Sequence, residues 1–383
     1  MAKSPSRVRD IFIQALFFAG LVAFLSFAAH NVSTQLAARG ISSGFDFLSH
    51  QAGFGIAFHL LPYSETSTVF QVFLVGAVNT LFISVVSIVL ASVIGLIIAL
   101  FRLSPLPVLR AVGTFYVETL RNVPLLLQFF VWYFAVLRQL PMPLESYSLW
   151  GRVFLNIRGL YIPFPDDVSA VWIVIGSLVL GLTAGHFLNQ YAVSRRRALG
   201  RFPAWHLLSY ALPIVFPLVA VLLLRTRVEF LVPFLEGFNF SGGAQIVPEF
   251  IAAILALSLY TASFIAEIIR GAIGAVSRNQ TEAALALGLT PAQVLSRIIF
   301  PQALGHIIPP LTSQYLNLIK NSSLAAAIAF PELVLVFAGT SLNVSGQAVE
   351  IMTMTLGFYL VVSLSVSALI NLYQARALRY ERR

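Results

Sequence analysis

Apolar residues dominate eight stretches of this 383-residue chain, near residues 11–30, 71–101, 110–137, 169–188, 206–224, 250–275, 307–330 and 351–373. Each is about as long as the 20 or so residues a helix needs to cross a bilayer. Polar residues collect between the stretches, so the pattern predicts a bundle of membrane-spanning helices. The second and third stretches exceed one crossing, which predicts tilt or extension beyond the lipid. The stretch 307–330 is the least regular, interrupted by Pro309, Pro310, Asn317 and Lys320. Two connecting segments, 31–70 and 138–168, are long and hold aromatics, Gly and Pro. They read as ordered caps with interfacial helices, or as irregular connectors. No internal repeat aligns at any period.

Composition removes the soluble alternatives. The chain is 58% apolar and 10% charged, whereas a soluble domain carries about 25% charged residues. The absence of cysteine excludes disulfides, thiolate metal sites and a cysteine nucleophile. His30, His50, His59, His186, His206 and His306 show no ligand-like spacing, so no zinc site is expected. The net charge of +9 sits in short segments beside apolar runs rather than on a folded soluble face, which argues against nucleic acid.

Those basic segments orient the chain, because Lys and Arg are retained on the cytoplasmic side. With the N-terminus inside, sixteen basic residues face the cytoplasm: Lys3, Arg7, Arg9, Arg102, Arg110, Arg195, Arg196, Arg197, Arg201, Arg270, Arg278, Arg297, Arg376, Arg379, Arg382 and Arg383. Six face outward: Arg39, Arg138, Arg152, Arg158, Arg225 and Arg227. Both termini are therefore expected to be cytoplasmic. A cleaved leader is the competing reading for the first stretch, but that stretch exceeds the apolar core of such leaders and its removal leaves an odd number of spans.

One cytoplasmic loop differs from the rest. Glu282 to Leu287 favours helix, and Gly288 can take the positive φ that ends one. Thr290 then Pro291 reads as an N-cap with proline at the first helical position. A second short helix is expected to run to Ile299 and stop at Pro301. Two short helices at a bend outside the lipid make a knob that fits another protein's cleft.

Glu282-Ala283-Ala284, with Gly288, Ile298 and Pro301 at their spacings, resembles the "EAA" loop of bacterial ABC-importer permeases; Phe300 stands where that family prefers Leu. More of the chain agrees. Gly76-Ala77-Val78-Asn79-Thr80-Leu81, Glu118-Thr119-Leu120-Arg121-Asn122-Val123-Pro124, Ala266-Glu267-Ile268-Ile269-Arg270-Gly271 and Lys320-Asn321-Ser322-Ser323-Leu324 resemble polar amino-acid permeases. Tyr63-Ser64-Glu65 and residues 237–243, the extra first span and the inserted pair at 169–224 resemble the general L-amino acid branch.

The resemblance implies an all-α integral membrane protein of about eight transmembrane helices, with a type I ABC-importer core, in the bacterial inner membrane. Its parts would be a helix and periplasmic segment at 1–70 and a permease domain at 72–373. An inserted region at 138–248 and the coupling loop at 276–306 lie within that domain. The implied partners are an ATP-binding subunit docked on the loop, a second permease in a heterodimer, and a periplasmic amino-acid-binding protein. ATP and Mg belong to the partner, because neither Lys3 nor Lys320 follows a glycine and no Walker A lysine exists here. No cofactor and no catalytic residue are expected in this chain.

Charges inside spans mark structure or a substrate path. Glu267 and Arg270 stand three apart and read as a structural ion pair. Glu118 and Arg121 share the same spacing, and Lys320 lies in the seventh stretch without a local acid. An amino acid carries an ammonium and a carboxylate, so Glu118 for the first and Arg121 or Lys320 for the second form a candidate path; a Glu118–Lys320 brace is the alternative. Asn79, Thr80, Gln128, Tyr260, Thr261 and Asn317 read as hydrogen-bonding glue between helices. A gradient-driven secondary transporter, using Glu118, Glu267 and Lys320 as an ion relay, is the rival function. It leaves the two-helix loop unexplained.

Overall fold

The computed structural model describes residues 5–38, 44–167, 169–199, 203–224 and 229–381. Lys3, Arg39, Arg201, Arg225, Arg227, Arg382 and Arg383, which entered the charge count, lie outside them. The chain forms two compact units, residues 1–130 with 253–383 and residues 131–252.

The first unit begins with α1 (Pro5–Ala38), whose apolar residues Ile11, Phe12, Phe17, Phe18 and Phe24 are exposed all round, a surface made for lipid. α2 (Val69–Leu103) starts at a reciprocal cap: Thr68 Oγ1 accepts from Gln71 N, and Gln71 Oε1 accepts from Thr68 N. It buries one stripe, Val72, Gly76, Asn79, Thr80, Ile83, Ser87 and Ala91, and exposes Val85, Val89, Val93 and Leu100. Buried alanines of α7 (Pro248–Gly274), among them Ala256, Ala262 and Ala266, allow close helix packing.

The stretch 110–137 is not one straight span. α3 (Pro107–Asn122) and α4 (Leu125–Phe130, continued by wider and tighter turns to Gln139) meet at an angle of 104°. Pro124 drives Val123 into an extended conformation, and Gln128 Nε2 donates back to the carbonyls of Leu120 and Val123, pinning the bend.

The stretch 307–330 also departs from expectation. After α8 (Arg278–Ala286) and α9 (Pro291–Val294) comes α10 (Phe300–Asn321), which passes through Pro309 and Pro310 and ends in a tight 3-10 run, Ser322–Ile328. A short turn then leads into a π-helical segment, Val334–Ser341, and α11 (Leu342–Ser345), before α12 (Ala348–Glu381). This stretch supplies the centre of the unit: Leu333 and Phe337 are fully buried, packed with Phe47, Val69 and Ile351, and Phe330, also fully buried, meets the Phe58 ring. Among the described residues six helices are long and apolar enough to cross a membrane, or seven with α3 and α4 as one broken span. The eight stretches therefore do not give eight such helices: α10, with Gln314, Asn317 and Lys320 along it, is not among them.

The second unit corrects the all-α expectation. Among its described residues, loop 138–168 holds a short 3-10 turn, Pro143–Glu145, and otherwise antiparallel strands β1 (Tyr147–Leu149), β2 (Val153–Asn156), β3 (Gly159–Ile162) and β4 (Phe164–Pro165). After the helical hairpin of α5 (Ser169–Leu199) and α6 (Leu208–Leu224) come β5 (Phe230–Leu231), β6 (Phe234–Glu236), β7 (Asn239–Ser241) and β8 (Ala244–Ile246). The main sheet runs β1-β2-β3-β8, with β4–β5 and β6–β7 as separate pairs. Phe240 packs against Phe154 and Tyr161 at 4.6 and 5.0 Å between ring centres. Asp167 receives the amide and hydroxyl of Ser169 at the start of α5, and these donors hold its carboxyl below the usual carboxylate range.

Candidate functional site

The two-helix loop is built by its caps. α8 closes with Leu287 N donating to Ala283 O and Leu289 N to Ala284 O, at 3.1 and 3.2 Å, while Gly288 sits at φ +81°. That left-handed geometry reverses the chain and is cheap only for glycine. Thr290 and Gln293 then form a second reciprocal cap, with Pro291 in the first turn. Ala284 and Val294 are buried, whereas Glu282, Ala283 and Leu285 are exposed and Leu287 is 81% exposed. Ile298 and Pro301 are half-buried.

The second helix does not stop at Pro301. α9 widens into a π-helical turn, Leu295–Ile299, and α10 follows directly with Pro301 in its first turn. Proline is tolerated there because the helix start leaves N–H groups unpaired in any case. The loop is thus continuous with the helix behind it.

A charged cluster stands where α2 and α7 end. Glu267 accepts from Arg270 Nη2 at 2.5 Å and Nε at 3.2 Å, and its Oε2 also meets Arg102 Nη1. Two guanidinium groups on one carboxylate leave a net positive cluster. Glu118 and Arg121 form no ion pair with each other. Arg121 instead lies over the Phe264 ring, 4.9 Å from its centre, a cation–π contact.

These groups line two adjoining cavities of about 350 Å³ each. One is bounded by Arg102, Val117, Glu118, Arg121, Asn122, Phe264 and Glu267. The other shares Arg121, Phe264 and Glu267 and extends past Gly271 and Ala272 to His306 and Pro310. Each has room for a small solute and carries both signs of charge. Lys320, exposed in the last turn of α10, lines neither cavity, and neither ion pair among the described residues includes it or Glu118. Among the described residues no three His, Asp or Glu side chains gather as metal ligands.

Two participants in the site, and one buried acid outside it, escaped sequence reasoning. Arg102 served only as an orientation marker, although its place at the end of an apolar run was a signal. His306 looked isolated. Glu332 fell between two apolar stretches, yet it is fully buried.

A membrane bundle with a capped two-helix loop feeding a long helix, and a charged cavity beside it, defines a transport component. Residues 91–379 match the family described as the binding-protein-dependent transport system inner membrane component, and the chain belongs to that family. Its relatives place it among amino-acid ABC transporter permeases. YhdX of Escherichia coli strain K12, whose name as such a permease is itself provisional, is 46% identical over 98% of this chain and 95% of its own length. The general L-amino acid transport system permease protein AapQ of Rhizobium johnstonii is 43% identical over 98% of this chain and 94% of its own. The glutamate/glutamine/aspartate/asparagine transport system permease protein BztB of Rhodobacter capsulatus is 37% identical, covering 96% and 93%.

Proposed function

We propose that this chain is the membrane-spanning subunit of an ATP-driven importer that moves amino acids inward by alternating access. The carrying observation is the loop of α8 and α9. Its tip presents Leu285 and Leu287 outward on a fold stiffened by two caps, and apolar side chains so placed fit a partner's cleft. A separate ATP-binding subunit, bringing ATP and Mg, would receive Glu282, Ala283, Ala284 and Leu287, while Gly288 sets the bend. Movement of that subunit would reach the membrane through Ile298 and Pro301 into α10.

On this reading the chain crosses the bacterial inner membrane eight times, counting α3–α4 as one crossing and α10 as another, with both termini cytoplasmic. Residues 72–373 form the permease core, and 1–70 and 138–248 are additions to it. A periplasmic binding protein delivers substrate, and a second permease completes a heterodimer. Glu118 would meet the substrate ammonium and Arg121 its carboxylate in the cavity they line, while Glu267 and Arg270, with Arg102, brace the wall. Lys320 stands outside this path.

Gentle purification of the tagged protein from its native membrane tests the reading. An ATP-binding subunit should co-purify, and Gly288→Pro should lose it or break the link between hydrolysis and transport. Recovery of the permease alone, in a detergent that preserves such complexes, would defeat the proposal.

A further inference from the structure

Glu332 is an acidic side chain that neither the transport path nor the loop uses. It is fully buried in the turn between α10 with its 3-10 extension and the Val334–Ser341 segment. Among the described residues both ion pairs belong to Glu267, so Glu332 has no cationic partner. Its carboxyl oxygens are instead spent as acceptors. Oε1 takes Leu335 N at 2.7 Å, and Oε2 takes Val334 N at 2.9 Å and the Tyr359 hydroxyl of α12 at 3.3 Å.

The residues on either side are tied down from α2. Asn79 Nδ2 donates to Pro331 O at 2.8 Å, and Thr80 Oγ1 accepts from Leu333 N at 3.0 Å. A Cβ on Gly76 would stand 2.8 Å from Leu333 Cα, so the turn rests against bare backbone. Burying an acid without a cationic partner is costly. The carboxylate caps the amides two and three residues on and also reaches across to α12, so it joins two segments, while α2 holds the residues on either side of it.

We infer that Glu332, joining the start of the Val334–Ser341 segment to Tyr359, is a positioning residue of the transport cycle: it anchors the far end of α10 so that movement of the two-helix loop is transmitted rather than absorbed. α10 has 22 residues, about 33 Å of helix, and runs without interruption from the loop to Ser322. A lever of that length transmits motion only if its far end bears on something fixed. The Glu332 turn, held to α2 and α12, is that bearing. The inference rests on the ATP-driven reading above.

The test uses the whole complex in proteoliposomes, with its binding protein and a mixture of radiolabelled L-amino acids, reading uptake and ATP hydrolysis together. Glu332→Gln turns one acceptor into an N–H that faces a backbone N–H. Tyr359→Phe removes one hydroxyl, which also meets Ser322 and Thr80, and leaves the backbone contacts of Glu332 intact, so it serves if the first variant does not assemble. In both, amino acid moved per ATP hydrolysed should fall, by about tenfold in Glu332→Gln and less in Tyr359→Phe, with Glu332→Asp recovering part of it. A structural defect would lower both activities together and leave that ratio unchanged. Variants that assemble and keep the wild-type ratio would overturn the anchor alone. A wild-type complex whose uptake needs no ATP would overturn the importer reading, and the anchor with it.

Discussion

Gly76 and Gly357 show how differently one substitution acts at two helical glycines. A methyl group on Gly76 meets Leu333 Cα and Val336 Cγ2, both at 2.8 Å, while one on Gly357 meets nothing within 4 Å. Backbone cannot step aside as a side-chain tip can, so Gly76→Ala should cost about 1–3 kcal/mol through overpacking. Gly357→Ala should be neutral or stabilising by up to about 1 kcal/mol, through helix propensity. Thermal unfolding of the two variants in one detergent checks the contrast; equal midpoints would contradict the seating of the buried turn on α2. At the cavity, Arg121→Ala should raise KM for uptake more than it lowers kcat, because the side chain offers a binding charge and no chemistry. A change in kcat alone would remove Arg121 from the substrate path.

Among the elements, the α8–α9 loop carries its geometry in local chemistry. Gly288 at φ +81° with open space around it predicts that Gly288→Val costs about 1–2 kcal/mol through backbone strain alone. Leu287→Asp leaves the fold intact, since the side chain is 81% exposed, and should weaken retention of the ATP-binding subunit on a tagged-permease column. Undiminished retention would place the docking surface elsewhere. This loop was largely legible in the sequence because its caps, Thr290 with Gln293 and Gly288, act within a few residues of themselves. Its end was not legible. Pro301 reads as a stop, but a π-helical turn before it turns the stop into the start of α10. The α3–α4 bend could have been read in part from Val123-Pro124, whereas its pin, Gln128 reaching back to Leu120 and Val123, is a contact that spacing does not reveal. Strands of two to four residues, such as β4 and β5, are too short for any alternation to stand out. Glu332 stayed hidden because a search for charges within apolar stretches passes over a turn between two of them.

For the whole molecule, hydropathy told most of the architecture, since lipid selects helices by length and apolarity and leaves few alternatives. It could not tell that α10, the least apolar of the long helices, joins the loop to the buried turn that completes the core. The account's central claim is that ATP, hydrolysed by a partner on the loop, drives amino acids through this permease. The direct measurement is amino-acid uptake into vesicles holding the complex, with ATP clamped and an ionophore collapsing the ion gradients. Uptake that requires ATP and survives the ionophore is the predicted result. Uptake that stops with the ionophore at constant ATP would contradict the account and make this a gradient-driven transporter.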